Sequence, residues 1–104
     1  MGSNSSSQLS AATALAELLK EHPDLPQAGW TIGTIIPDLH GHLYGEMPEL
    51  AAYADVLGGA VRAAQNTFEL RGQQVRRHVL TTVWRDVPVE VSVALPVSAE
   101  AVSL

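Results

Sequence analysis

The chain has 104 residues, enough for one domain with a modest core and too few for two. It contains no cysteine, which excludes disulfides, thiolate catalysis and cysteine-based zinc sites. A net charge of −5 disfavours nonspecific phosphate contacts, and no run approaches the ~18 apolar residues of a membrane helix, so neither nucleic acid nor membrane is an expected partner.

Residues 1–7 read as a disordered, serine-rich leader without the charged and apolar regions of a signal peptide, although Gly2 with Ser6 formally matches the myristoylation pattern. No polybasic second anchor follows, and the expectation is a cytoplasmic protein. Residues 8–95 form the domain and residues 96–104 a tail. The spacing predicts a first helix over Leu9 to Glu21, with Leu15, Leu18 and Leu19 as its apolar stripe and Pro23 forcing its end. Turn residues from Asp24 to Gly29 lead into a strand from Trp30 to Ile36, stopped by Pro37. Leu39 to Gly45 returns as the second arm of a hairpin turning near Pro37 and Asp38.

Pro48 and Glu49 open a second helix, whose stripe is Leu50, Tyr53, Ala54 and Leu57 and whose stop is Gly58-Gly59. Ala60 to Asn66 reads as a connection, and Thr67 to Leu70 as a short strand. The longest strand follows, from about Gln74 to Trp84, paired with a last strand in which Val87, Val89, Val91, Val93 and Leu95 alternate with other residues. A two-residue loop at Arg85-Asp86 pairs Trp84 with Val87 and Leu80 with Val91, burying both Trp84 and Leu80. The expected fold is therefore α+β, an antiparallel sheet of four to five strands with two helices on one face, in the order helix, hairpin, helix, hairpin.

Charge is uneven along this order. Up to Asp55 seven acidic residues stand against Lys20 alone, whereas Arg62, Arg71, Arg76, Arg77 and Arg85 all follow. A weakly basic hairpin thus sits on an acidic body, an arrangement that suits pairing of two copies as well as nucleic acid.

The densest chemistry is Asp38-Leu39-His40-Gly41-His42. His40 and His42 share a strand face and would make a divalent-metal site, with Asp38, Glu46 or His78 completing the shell. Asp-Leu-His-Gly at 38–41, following a strand, resembles the first metal-binding motif of calcineurin-like metallophosphoesterases, and the resemblance implies Asp38 and His40 as ligands. It covers Thr34 to Leu43. The family's downstream Gly-Asp-x-x-Asp-Arg-Gly and Gly-Asn-His-Glu are absent, so a two-metal centre has no second half here. The phrases Ala54-Asp55-Val56-Leu57-Gly58-Gly59 and Val83-Trp84-Arg85-Asp86-Val87-Pro88-Val89 resemble small α+β proteins of GC-rich actinobacteria, a resemblance that brings no activity with it. No serine occupies a Gly-x-Ser-x-Gly turn, and Gly58-Gly59 ends a helix where a phosphate loop would begin one.

The reading that follows is a non-enzymatic interaction or regulatory module without a required cofactor, forming a homodimer or binding another protein through an open sheet edge or the more polar sheet face. Trp30, Tyr44, Arg76, Arg77 and Trp84 are its expected contact residues, because interface energy concentrates in aromatics and arginine. The two alternatives are a metal-binding protein or metal-dependent hydrolase using Asp38, His40 and His42, and an accessory nucleic-acid binder using Arg76 and Arg77.

Overall fold

A computed structural model describes residues 3–98, with side chains from Gln8. The elements are α1 (Ser3–Glu21), β1 (Gly29–Ile32), β2 (Leu39–Leu43), α2 (Met47–Leu57), β3 (Ala60–Leu70), β4 (Gln73–Trp84) and β5 (Val87–Pro96). The strands form one sheet in the order β1-β2-β5-β4-β3. Every neighbouring pair is antiparallel except β2 and β5, which run parallel. Both helices cover one face, so the α+β class and the layer arrangement are as expected.

The core is built on β5, where Val87, Val89, Val91 and Val93 are all buried. The turn at Arg85-Asp86 has two residues, giving the expected pairs Trp84 with Val87 and Leu80 with Val91. On its other side β5 sets Val89, Val91 and Val93 against Leu39, Gly41 and Leu43 of β2. The helices close this layer with Ala11, Ala14 and Leu18 of α1 and Leu50 and Tyr53 of α2. Alanine at two of the buried α1 positions lets the helix backbone approach the sheet. The stripe therefore runs through Ala11, Ala14 and Leu18, and Leu19 is largely in solvent rather than in the core.

Four boundaries differ from expectation. The α1 helix takes in residues 3–7 of the predicted leader, because a nucleated helix propagates through residues that need no partner on the sheet; residues 1–2 lie outside the described residues. Strand β1 stops at Ile32, leaving Ile35 and Ile36 exposed, because the Gly33 amide donates to the Asp38 carbonyl (2.9 Å) and the Asp38 amide to the Ile36 carbonyl (2.8 Å). These bonds close the loop before the isoleucines can join the ladder. Ala60 to Asn66 is strand, not connection, since β4 pairs with Ala60–Ala63 and again from Thr67, beyond a bulge at 64–66. Pro96 ends β5 rather than starting a tail, and residues 99–104 lie outside the described residues.

Two glycines are dictated by contact. A Cβ on Gly41 would fall 2.9 Å from the Trp30 ring, which lies flat over this position. A Cβ on Gly59, at φ +101°, would fall 2.4 Å from the Thr81 carbonyl oxygen, so any larger residue would push α2 off β4. Thr82 strengthens the same junction by donating its hydroxyl to the Leu57 carbonyl at 3.2 Å.

Trp84 ties α1 to the sheet: its indole N–H donates to the Ala14 carbonyl at 2.9 Å, and His22 meets the ring edge-on. Arg85 stacks its guanidinium 4.6 Å from the Trp84 ring and pairs with Glu21 at 2.6 Å and Glu17 at 3.4 Å. Those contacts hold a turn in which Arg85 (φ 52°) and Asp86 (φ 67°) are both left-handed without glycine. Tyr53 donates its hydroxyl to the Pro26 carbonyl, fixing the loop before β1 to α2.

Two outcomes follow. Asp86→Gly relieves one left-handed residue at some cost in unfolded-chain entropy and should stabilise the fold by about 0.5–1 kcal/mol, read from the urea midpoint. The Tyr53 phenol lies above its ordinary value, first because burial opposes its ionisation and second because Glu49 is near. The raised value makes this contribution complete below pH ~10 and lost as pH rises through the folded-state value. Tyr53→Phe should cost about 1 kcal/mol at pH 7 for the lost hydrogen bond and flatten the alkaline fall, measured by urea unfolding at pH 7 and above pH ~10.

Candidate functional site

The sheet face away from the helices carries the polar cluster. Parallel pairing of β2 with β5 sets His40 beside Glu90 and His42 beside Ser92, and β4 adds Val79 beside Ser92. Together with Arg77 these residues line an open cavity of about 240 Å³. His40 is clamped between two carboxylates, with Nε2 2.9 Å from Asp38 Oδ2 and Nδ1 2.9 Å from Glu90 Oε2. A singly protonated imidazole donates to one of them; the doubly protonated ring donates to both. His42 Nδ1 meets Ser92 Oγ at 3.3 Å.

The expected metal ligands are thus divided. Asp38 and His40 come together, but His42 is committed to Ser92, and the third member of the Asp38-His40 group is Glu90 rather than Glu46 or His78. Among the described residues no set of three His, Asp or Glu side chains converges as a metal site. The Ser92-His42 contact has the first two parts of a nucleophilic pair. Its strand, however, is paired on both sides, so the surrounding β5 amides are spent in the ladder and supply no oxyanion hole.

The expected contact residues fall into two groups. Trp30 and Trp84 are half-buried beneath the helices and belong to the core; Trp30 packs on Gly41 and meets Tyr53 edge-on. The Trp30 indole N–H is buried without an acceptor among the described residues. Tyr44 is 86% exposed at the end of β2, beside Gly29 and Gln27. Arg76 and Arg77 point to opposite faces, as adjacent strand residues must. Arg77 lies over the Phe68 ring on the open face, 5.9 Å from its centroid. Arg76 turns to β3 and donates to the Ala64 carbonyl at 2.6 Å and the Gln65 carbonyl at 2.9 Å.

No protein-family model, curated protein or solved structure matches the chain.

The open sheet edge expected from the sequence lies on β3, a strand whose first half reads as a connection in the sequence. All eleven of its residues are exposed, and among the described residues no other strand lies on its far side. The Arg71-Gly72 turn makes Leu70 and Gln73 the hydrogen-bonded pair that closes the hairpin, and bonded and non-bonded pairs alternate from there. Phe68, Arg62 and Ala60 therefore bond inward to β4, while Glu69, Thr67, Ala63 and Val61 turn their N–H and C=O groups outward. Between Ala63 and Thr67 the register shifts, and residues 64–66 bulge. Arg76 holds that bulge from β4.

Arg76→Ala should loosen the bulge without unfolding the domain. Amide exchange at Arg62 and Phe68, the inward-bonded residues that flank the bulge, is expected to rise about tenfold, with a change in global stability within about 1 kcal/mol, since the bonds replaced are exposed.

Proposed function

We propose that this chain is a non-enzymatic interaction module that takes a strand from another chain onto the free edge of β3. The observation that carries the reading is the exposure of all eleven residues of an edge strand. Such edges template pairing with another strand, and proteins that must stay apart shield them with proline, charged side chains, bulges or a covering segment. Ala60–Leu70 contains neither proline nor lysine, and the devices it does carry are two charges, Arg62 and Glu69, and the bulge at 64–66. Partly exposed Val61, Phe68 and Leu70 add apolar surface along the same edge. Strand addition uses these elements directly: main-chain bonds give affinity and alternate side chains give selectivity.

The other readings draw less from the geometry. A metal-dependent hydrolase needs converging ligands, and Asp38, His40 and His42 are split between two pairings. A nucleic-acid binder needs arginines on one surface, whereas Arg76 is engaged with the β3 bulge and Arg77 stands on the opposite face.

Sedimentation velocity over a wide concentration range, with amide exchange along β3, tests the proposal. The expected result is concentration-dependent association accompanied by protection of Val61, Ala63, Thr67 and Glu69. Ala63→Pro removes an outward N–H without touching the β3–β4 ladder and should weaken association at least about tenfold. A chain that stays monomeric with unprotected β3 amides at every concentration would sink the reading.

A further inference from the structure

The free edge of β3 is symmetric about its own midpoint. Its outward-facing residues are Val61 and Ala63 on one side of the bulge and Thr67 and Glu69 on the other, equally spaced from Gln65. We propose that the occupant of this edge is a second copy of β3, paired antiparallel about a two-fold axis at Gln65, so that two sheets become one. The proposal rests on the strand-addition reading and adds partner, orientation and register to it.

Antiparallel strands exchange bonds between facing residues that both turn their backbone groups into the shared edge. With the axis at Gln65, Val61 faces Glu69 of the second copy and Ala63 faces its Thr67, and the axis repeats both pairs. Every outward residue is used, for about eight main-chain hydrogen bonds. Moving the axis by one residue either way sets a ladder residue against the bulge of the other copy and leaves an outward residue unmatched. At Gln65 the two bulges meet each other, and neither ladder is interrupted out of phase.

Side chains and charges agree with this register. On the face away from the helices Arg62 falls opposite Phe68 of the second copy and Ala60 opposite its Leu70. The first brings a guanidinium to the edge of a ring over which Arg77 already lies, and the second covers an exposed leucine. The hairpin tip then lies at the far end of the other strand, with Arg71 opposite Gly59 of the second copy. That glycine follows α2, whose last turn holds no basic residue and whose Asp55 is exposed. The C-terminal end of a helix is negative. Each basic tip thus meets an acidic end of the other body, and the two basic hairpins do not oppose one another tip to tip.

The absence of native cysteine makes the test clean. Single variants Ala63→Cys and Thr67→Cys, both on the exposed edge, are oxidised separately and as an equimolar mixture. The proposal expects a disulfide-linked dimer in the mixture only, because facing Cα atoms lie within about 5.5 Å and like positions do not. Reversing Arg71→Asp or Asp55→Arg alone should raise the dimer dissociation constant about tenfold, and combining them should restore it. Cross-linking of either variant with itself, or none in a chain that sediments as a dimer with protected β3 amides, overturns this register while strand addition stands. A monomer without β3 protection overturns both.

Discussion

The structure depends on the alternation of β5 between two neighbours. Val87, Val89, Val91 and Val93 must all face the helices, and a slip of one residue against either neighbour would turn them to solvent. The two-residue turn fixes β4 on one side, and the parallel ladder fixes β2 on the other. Once β2 is locked, Gly41 lies opposite Val91, and the missing side chain there is the space that Trp30 fills. Trp84 does the equivalent work at the other flank by holding α1 through the Ala14 carbonyl. Burying both tryptophans is thus a consequence of the same register.

The polar cluster follows from that constraint too. Residues between the valines point away from the helices, and the parallel pairing carries His40 and His42 onto the same face as Glu90 and Ser92. His40 gains two carboxylate partners because it stands between the Asp38 end of the loop and the β5 ladder. A cluster generated by strand alternation divides into local contacts, His40 with Asp38 and Glu90 and His42 with Ser92. That is why it resembles a catalytic set in sequence and forms separate pairs in space.

What was legible in the sequence was whatever depends on local period or turn chemistry. The valine alternation of β5, the register at Arg85-Asp86, the stripe of α2 and the stop at Gly58-Gly59 all belong to this class. Hidden was anything set by a distant partner. Nothing in Leu39 to Leu43 encodes that it pairs parallel with a strand beyond α2, β3 and β4, so Glu90 could not be named as the companion of His40. The tryptophans illustrate a different limit: aromatic residues dominate cores as they dominate interfaces, and only burial tells them apart. Ala60 to Asn66 has Val61 as its one β-branched residue, and it is extended because β4 offers hydrogen bonds to its first half.

That last segment also explains how an open edge can be selective. Alanine, glutamine and asparagine make β3 weakly apolar, so a foreign strand gains little from its side chains and must rely on the main chain. The bulge then acts as a key, since a partner without a matching irregularity loses the ladder at residues 64–66. Arg76 gives the key a fixed shape by bonding the Ala64 and Gln65 carbonyls from the neighbouring strand. A bulge ordinarily blunts an edge against all comers. In the proposed two-fold pairing the bulge, at the centre of symmetry of its strand, would penalise every other register, and both β3 edges would be consumed so that no further copy adds there.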